Sequence, residues 1–224
     1  METAELAKLI KGRRSVRSWQ DKPVAEELLW QAVDLATWAP NGGNSQNWHF
    51  HIILKKETIK AIADAAQAGR ELMMSWPEAS GAFPAPPPPP PGQRPAGPRP
   101  GSFASVPALI VVSAKKAGNP MDRIFQAREK TDPKAAQMRQ WSITLDARVQ
   151  SVSAAIAYLL LVLHQMGLGA VWMTGPLTQS KGDTEKILNM PADTDVLALI
   201  PVGYPAESPT RDRKPVKEVC EVIK

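Results

Sequence analysis

An α+β fold, a mixed sheet with helices on its faces, is what this chain predicts, and three observations predict it. Two runs, PALIVVS from Pro107 to Ser113 and DVLALIPV from Asp195 to Val202, are almost continuously apolar, as strands covered on both faces are. From Asp146 onward Val149, Val152, Ile156, Leu159, Leu163 and Met166 alternate spacings of three and four, which makes one unbroken helical seam. Shorter amphipathic stretches complete the order helix, helix, strand, helix, strand, helix, strand, strand.

Taken along the chain, Thr3 is placed to cap a helix whose Leu6, Leu9 and Ile10 share a face and which stops near Gly12. That leaves Arg13, Arg14, Ser15 and Arg17 on the following loop. A second amphipathic helix begins near Ala25, turns Leu28, Leu29, Ala32, Val33, Leu35 and Ala36 to one side and ends at Pro40. Trp48 to Leu54 alternates large apolar residues with His49 and His51, which predicts a strand with both histidines on one face. A third helix is expected from Glu57 to Met74. Residues 84–100 hold six consecutive prolines, Pro86 to Pro91, so neither helix nor central strand forms there and polyproline II or loop is the expectation. The seam helix is apolar all round from Ala154 to Leu163, which predicts burial on several sides within the domain or across a subunit interface. Gly167 and Gly169 stop it, and Ala170 to Met173 enters a short strand.

Composition narrows the function. A chain of 224 residues, 43% hydrophobic, buries a full core, and 1–224 reads as one domain carrying a Pro-rich insert at 84–100. The 27 basic and 22 acidic residues leave a net charge of +5, compatible with an anionic ligand but mild for a nucleic-acid binder. The arginines also lack the broad basic stripe and interleaved aromatics of a strand-binding surface, so no nucleic-acid partner is expected. One cysteine, Cys220, allows no internal disulfide and, with three scattered histidines, gives no metal-ligand spacing. The N-terminus lacks the basic start and apolar core of a secretion signal, and Ala154 to Leu163 is too short to cross a bilayer. A cytoplasmic protein without membrane attachment is the expectation. No serine or cysteine accompanies His49, His51 or His164 in a recognisable triad, so hydrolysis has little support.

Three stretches carry chemistry. RRSVR puts three guanidiniums, Arg13, Arg14 and Arg17, and the Ser15 hydroxyl within five residues, and the closing SPTRDRKP adds Arg211 and Arg213. Guanidiniums make charge-assisted, bidentate bonds to phosphate, although RRSVR taken alone reads more readily as a solvated basic loop. In WAPNGGNSQNW, Pro40 ends a helix, Asn41, Gly42 and Gly43 permit left-handed backbone and close approach to a planar ligand, and Asn44 and Gln46 offer amides. GLGAVWMTGP, Gly167 to Pro176, follows a helix and precedes a strand, the reverse of a dinucleotide fingerprint.

In order and position these stretches resemble the FMN-dependent nitroreductase family over nearly the whole chain. The loop at Pro40 matches that family's pattern except that Asn47 stands where proline is usual. The resemblance implies a nitroreductase-like fold in an intertwined homodimer with FMN sites shared between subunits. It implies that Arg13, Arg211 and Arg213 hold the FMN phosphate, that Ser15 lies by the ribityl chain or polar edge, and that Arg17 stands near N1 and the C2 carbonyl. Arg14 would contribute through its backbone or stem. Pro40, Asn41, Gly42 and Asn44 would reach the flavin of the other subunit, and the Thr174 and Gly175 backbone would lie beside N5. No side chain of the protein is then a catalytic acid or base: FMN takes hydride from NADPH or NADH and passes electrons to a nitroaromatic, quinone or similar acceptor, with ping-pong kinetics. Other reactions on the same fold, namely dehalogenation, flavin fragmentation and azoline oxidation, fit the motifs equally. So does a non-catalytic FMN carrier or sensor. The insert at 84–100 departs from the family and reads either as a lid limiting acceptor size or as a docking segment for aromatic-grooved modules.

Overall fold

The computed structural model describes residues 2–82, 103–116, 120–210 and 212–224. The insert at 84–100, with its lid and docking readings, and Arg211 lie outside these residues.

Eight helices and four strands are formed among the described residues: α1 (Thr3–Gly12), α2 (Glu26–Ala36), β1 (Trp48–Ile53), α3 (Lys56–Met74), α4 (Ala79–Ala82), β2 (Ala108–Lys115), α5 (Pro120–Arg128), α6 (Pro133–Leu145), α7 (Ala147–Gln165), β3 (Gly169–Ala170), α8 (Gly175–Ile187) and β4 (Thr194–Gly203). The strands lie in the order β1-β2-β4-β3. All three pairings are antiparallel. Parallel pairing, expected of a mixed sheet, enters among the described residues only as the single bridge between Ser15 and Ala170. The reason is that β2 returns against β1 and β4 returns against β2, so the intervening helices do not act as parallel crossovers.

β2 is buried from Ala108 to Ala114, as its unbroken apolar run requires. Its even-numbered side chains join α2 and α7 in one core, where Leu29, Ile156, Leu159 and Leu163 meet Ile110, Val112 and Ile200. Leu109 and Val111 join the opposite core with Ile59 and Ile62 of α3, Leu177 of α8, and Leu199. The sheet is therefore the middle of three layers. Leu159 is fully buried, and truncating such a side chain costs about 2–5 kcal/mol.

Helix ends follow local chemistry. Glu2, not Thr3, occupies the cap of α1, with the Glu5 carboxylate accepting the Glu2 backbone N–H at 3.1 Å. Asp146 opens α7 as expected, its carboxylate accepting the Val149 N–H at 3.1 Å. α2 ends at Ala36, short of Pro40, with Thr37 as its C-cap. No residue of α1 is buried, and Leu6 and Ile10 are exposed. The stretch Pro133–Gln165 is long and apolar enough by composition to span a membrane, but Asp146, at φ 28°, breaks it into α6 and a core helix, α7.

Where the starts of α7 and β4 meet the second half of α8, Asp195 binds Arg148 at 2.8 Å and Lys181 at 2.7 Å, and Glu185 binds Lys181 at 2.5 Å. Burial raises the Asp195 pKa, but the hydrogen bonds from Lys181 and Arg148 outweigh it and hold the carboxyl below its ordinary value.

Candidate functional site

Four hydrogen bonds tie the segment after α1 to β3 and to the segment leaving β4. Val16 N–H donates to the Ala170 carbonyl at 3.1 Å, Gln20 N–H to Tyr204 at 2.9 Å and Ala206 N–H to Ser18 at 2.9 Å. The Trp19 indole N–H donates to Gly169 O at 2.9 Å. Residues 15–20 are thus laid between β3 and the segment leaving β4. Arginines two hundred positions apart in sequence consequently share one cleft of about 590 Å³, where Arg13, Arg14 and Arg213 sit beside Lys11 and Asp212. Its apolar wall is Ile10 of α1, Ala157, Leu160 and Leu161 of α7, and Trp172.

The electrostatics of this cleft are unbalanced. Arg13, Arg14 and Arg213 form no ion pair with a carboxylate among the described residues. Burial, then the charges of Arg213 and Arg14, hold the Arg13 guanidinium below its ordinary pKa. His164, at the end of α7, is likewise lowered by burial and then by Arg13 and Arg14. Like charges gathered in a half-buried cleft are relieved by an anion, and a phosphate dianion offers the right charge and acceptor geometry.

Ser15, Arg17, Thr174 and Gly175 do not line that cleft, and Arg14 lines it with its guanidinium turned back. The Arg14 guanidinium folds back onto the carbonyls of Lys11 and Arg13. The Arg17 side chain is exposed and its Nη1 lies 3.5 Å from Ser15 O. Ser15 pairs with Ala170 at the edge of the sheet. Thr174 caps α8, Gly175 is its first residue, and a Cβ added at Gly175 would meet nothing within 4 Å. The backbone there is open to an approaching ligand, two residues beyond Trp172, and the helix N-terminus presents the positive end of its dipole.

Pro40, Asn41, Gly42 and Asn44 are held elsewhere. Gly42 N–H donates to the Ser151 hydroxyl at 3.3 Å, and Gln46 N–H to the Asn41 side-chain oxygen at 3.0 Å. Gly43, Asn44 and Gln46 take φ of 63°, 51° and 43°, left-handed values costly for the two non-glycines. Ser151 stands near the start of α7, and Ala157 and Leu161 of the cleft lie roughly 9–15 Å further along the helix at 1.5 Å per residue. Within the chain the loop and the arginines are apart.

Sequence reasoning missed two residues here. Trp172, 37% exposed, walls the cleft; it lies inside GLGAVWMTGP, but nothing local to that stretch singles out its indole. Glu207 accepts backbone N–H groups of Arg17 and Ser18, a contact across 190 residues that no local pattern signals.

A helix-covered antiparallel sheet, with an arginine-lined cleft where the two ends of the chain meet, defines an α+β protein with a cationic cleft. This chain belongs to the nitroreductase family, whose model matches residues 10–204. A protein of Methanothermobacter thermautotrophicus provisionally named NADH dehydrogenase/NAD(P)H nitroreductase is 26% identical over 211 residues, covering 93% of this chain and 82% of its own. The fold matches a BluB-like flavoprotein from Clostridium difficile 630 with a TM-score of 0.77, at 23% identity and 100% coverage of both chains. It also matches an iodotyrosine deiodinase solved with FMN and 3-iodo-L-tyrosine, with a TM-score of 0.64, 22% identity and coverage of 98% of this chain and 97% of that one.

Proposed function

We propose that the protein is an FMN-dependent NAD(P)H oxidoreductase, acting as a homodimer whose two sites each draw on both subunits. The observation that carries the reading is the cleft itself: three guanidiniums without a carboxylate partner among the described residues, set against an apolar wall. That combination fits FMN, with Arg13, Arg213 and Arg211 taking the phosphate and Trp172 and α7 bordering the uncharged part. When bound, FMN supplies a hydride acceptor and donor that the protein's own side chains lack.

The chain's residues then bind and orient. Thr174 and Gly175 offer open backbone at the start of α8 for the flavin's reacting edge, and Arg17 offers positive charge to its carbonyl edge. Pro40, Asn41, Gly42 and Asn44 serve the site of the second subunit, which accounts for their distance from the arginines of their own. A second copy also gives cover to Leu6 and Ile10 of α1 and to Val216, Val219, Val222 and Ile223 in the closing segment, all exposed in one protomer. NADPH or NADH is the donor and a nitroaromatic or quinone the acceptor. A second reading, reductive dehalogenation, draws its support from the likeness to the deiodinase fold. The exposed thiol of Cys220 accords with a cytoplasmic setting.

Titrating apoprotein with FMN and with riboflavin tests the cofactor, and light scattering tests the assembly. FMN should bind at least tenfold more tightly than riboflavin, to a dimer. Equal affinities, or a stable monomer that holds FMN, would contradict the proposal. Turnover of a nitroaromatic, a quinone and 3-iodotyrosine under NADPH then separates the two readings of the acceptor.

A further inference from the structure

Glu207 stands where the two chain ends meet, and its Oε1 accepts two hydrogen bonds from the opposite strand: Arg17 N–H at 2.5 Å and Ser18 N–H at 3.1 Å. Behind it the ladder is mostly backbone, with the Gln20 side-chain amide also donating to the Pro205 carbonyl at 2.9 Å. Ala206 N–H donates to Ser18 O and Gln20 N–H to Tyr204 O, each at 2.9 Å, and Trp19 bridges Pro205. At the end of this ladder nearest the arginines, a side-chain oxygen replaces the missing backbone acceptor. Arg13 lies four residues before Arg17, and Arg213 six residues after Glu207. Both arginines therefore leave from the end that this carboxylate closes.

We infer that Glu207 is a positioning residue for the anion cleft, holding the N-terminal and C-terminal arginine segments in register so that Arg13 and Arg213 converge before any ligand arrives. The inference rests on the FMN reading above. Its physical basis is preorganisation: two segments already tied together lose little further freedom on binding, whereas a frayed ladder must be ordered by the ligand at the ligand's expense. A carboxylate beside cations would, by its charge alone, weaken attraction for a phosphate. Both bonds end on one oxygen, so what the register requires is an acceptor at that place and not a negative charge. The Gln side chain keeps such an acceptor and removes the charge.

The test is the ratio of the dissociation constants of riboflavin and FMN, measured by fluorescence titration of apoprotein for wild type, Glu207→Ala and Glu207→Gln. The ratio isolates the phosphate from the rest of the flavin, so a general loss of stability leaves it unmoved. Glu207→Ala should reduce the ratio at least fivefold, and Glu207→Gln should keep it at or above the wild-type value. An unchanged ratio in Glu207→Ala overturns the inference, and so does a Glu207→Gln protein as weak as the alanine variant. Should Glu207→Ala not fold, Glu207→Asp takes its place, because its carboxylate falls one methylene short of both amides; a wild-type ratio there also overturns the inference. A wild-type protein that fails to prefer FMN to riboflavin removes the underlying FMN reading instead, and the two failures are thereby told apart.

Discussion

The Trp19 indole donates its N–H to the carbonyl oxygen of Gly169 at 2.9 Å, and this bond ties the loop that carries the first arginine cluster to the strand that follows α7. The contact needs glycine. A Cβ added at Gly169 would stand 2.8 Å from Val16 Cγ1, and Val16 is buried and bonded through its N–H to Ala170. Gly169→Ala should therefore destabilise the protein by about 1–3 kcal/mol, as overpacking does. Because Ser15 and Arg17 flank the displaced valine, FMN affinity should fall as well. Urea midpoints and FMN titration check both effects, and an unperturbed midpoint would show that the loop yields freely.

Arg13 and Arg213 share the cleft without a carboxylate partner among the described residues. Removing either as Arg13→Ala or Arg213→Ala should weaken FMN by ten- to a hundredfold, as expected for a charge-assisted hydrogen bond of about 1.5–3 kcal/mol, while riboflavin binding stays within about threefold. Raising the salt concentration should lower wild-type FMN affinity more than that of either variant, because screening acts on the charges that remain. Calorimetric titration at two ionic strengths reads both outcomes.

His164 reports on the same field without being part of the cleft's chemistry. Burial, followed by the charges of Arg13 and Arg14, depresses its pKa. A bound phosphate offsets those two charges and leaves the burial, so saturation with FMN should raise the His164 pKa. Imidazole resonances followed by NMR across pH, with and without FMN, measure it. A pKa that does not move places the phosphate elsewhere.

His51 gives the fold a pH dependence of its own. Its Nε2 lies 2.9 Å from the hydroxyl of buried Ser113, its ring centroid is 4.4 Å from that of His49, and burial, then His49, lower its pKa to about 4. The unfolded chain binds a proton near the ordinary value of 6.5 and the folded chain resists it. Stability is therefore fully present above about pH 6.5, falls as the pH drops toward 4 and is lost below it. Because the ring is only half-buried, screening trims the effect to about 1–2 kcal/mol. Urea denaturation of wild type and His51→Phe at pH 7.5 and pH 5 should show the difference between them shrinking at the lower pH. A constant difference would mean that His51 titrates normally.

The elements legible in the sequence are those whose neighbours make the pattern simple. β2 is covered on both faces, so every side chain from Ala108 to Val112 is apolar, and α7 packs a continuous three-four seam. α8 was hidden because its buried stripe is Leu177, Ser180 and Thr184, two of them polar, in a stretch that opens Gly-Pro and contains Gly182. α6 was hidden for the opposite reason: Met138, Trp141, Ile143 and Leu145 are all exposed and share no face with a core. At the site, residue types and order revealed the arginines, but their convergence depends on pairing between residues 15–20, β3 and the end of β4, which only the fold supplies. The antiparallel sheet was likewise beyond local pattern, since apolar strands look alike in either direction.

The most direct measurement is the visible spectrum of the purified protein before and after adding NADPH under anaerobic conditions, with mass identification of any chromophore released on denaturation. The predicted result is FMN at one per chain whose absorbance bleaches on adding NADPH and returns when an acceptor is admitted. A colourless protein that cannot be reconstituted with FMN, or a bound flavin that NADPH and NADH both leave oxidised, would contradict the proposed oxidoreductase function.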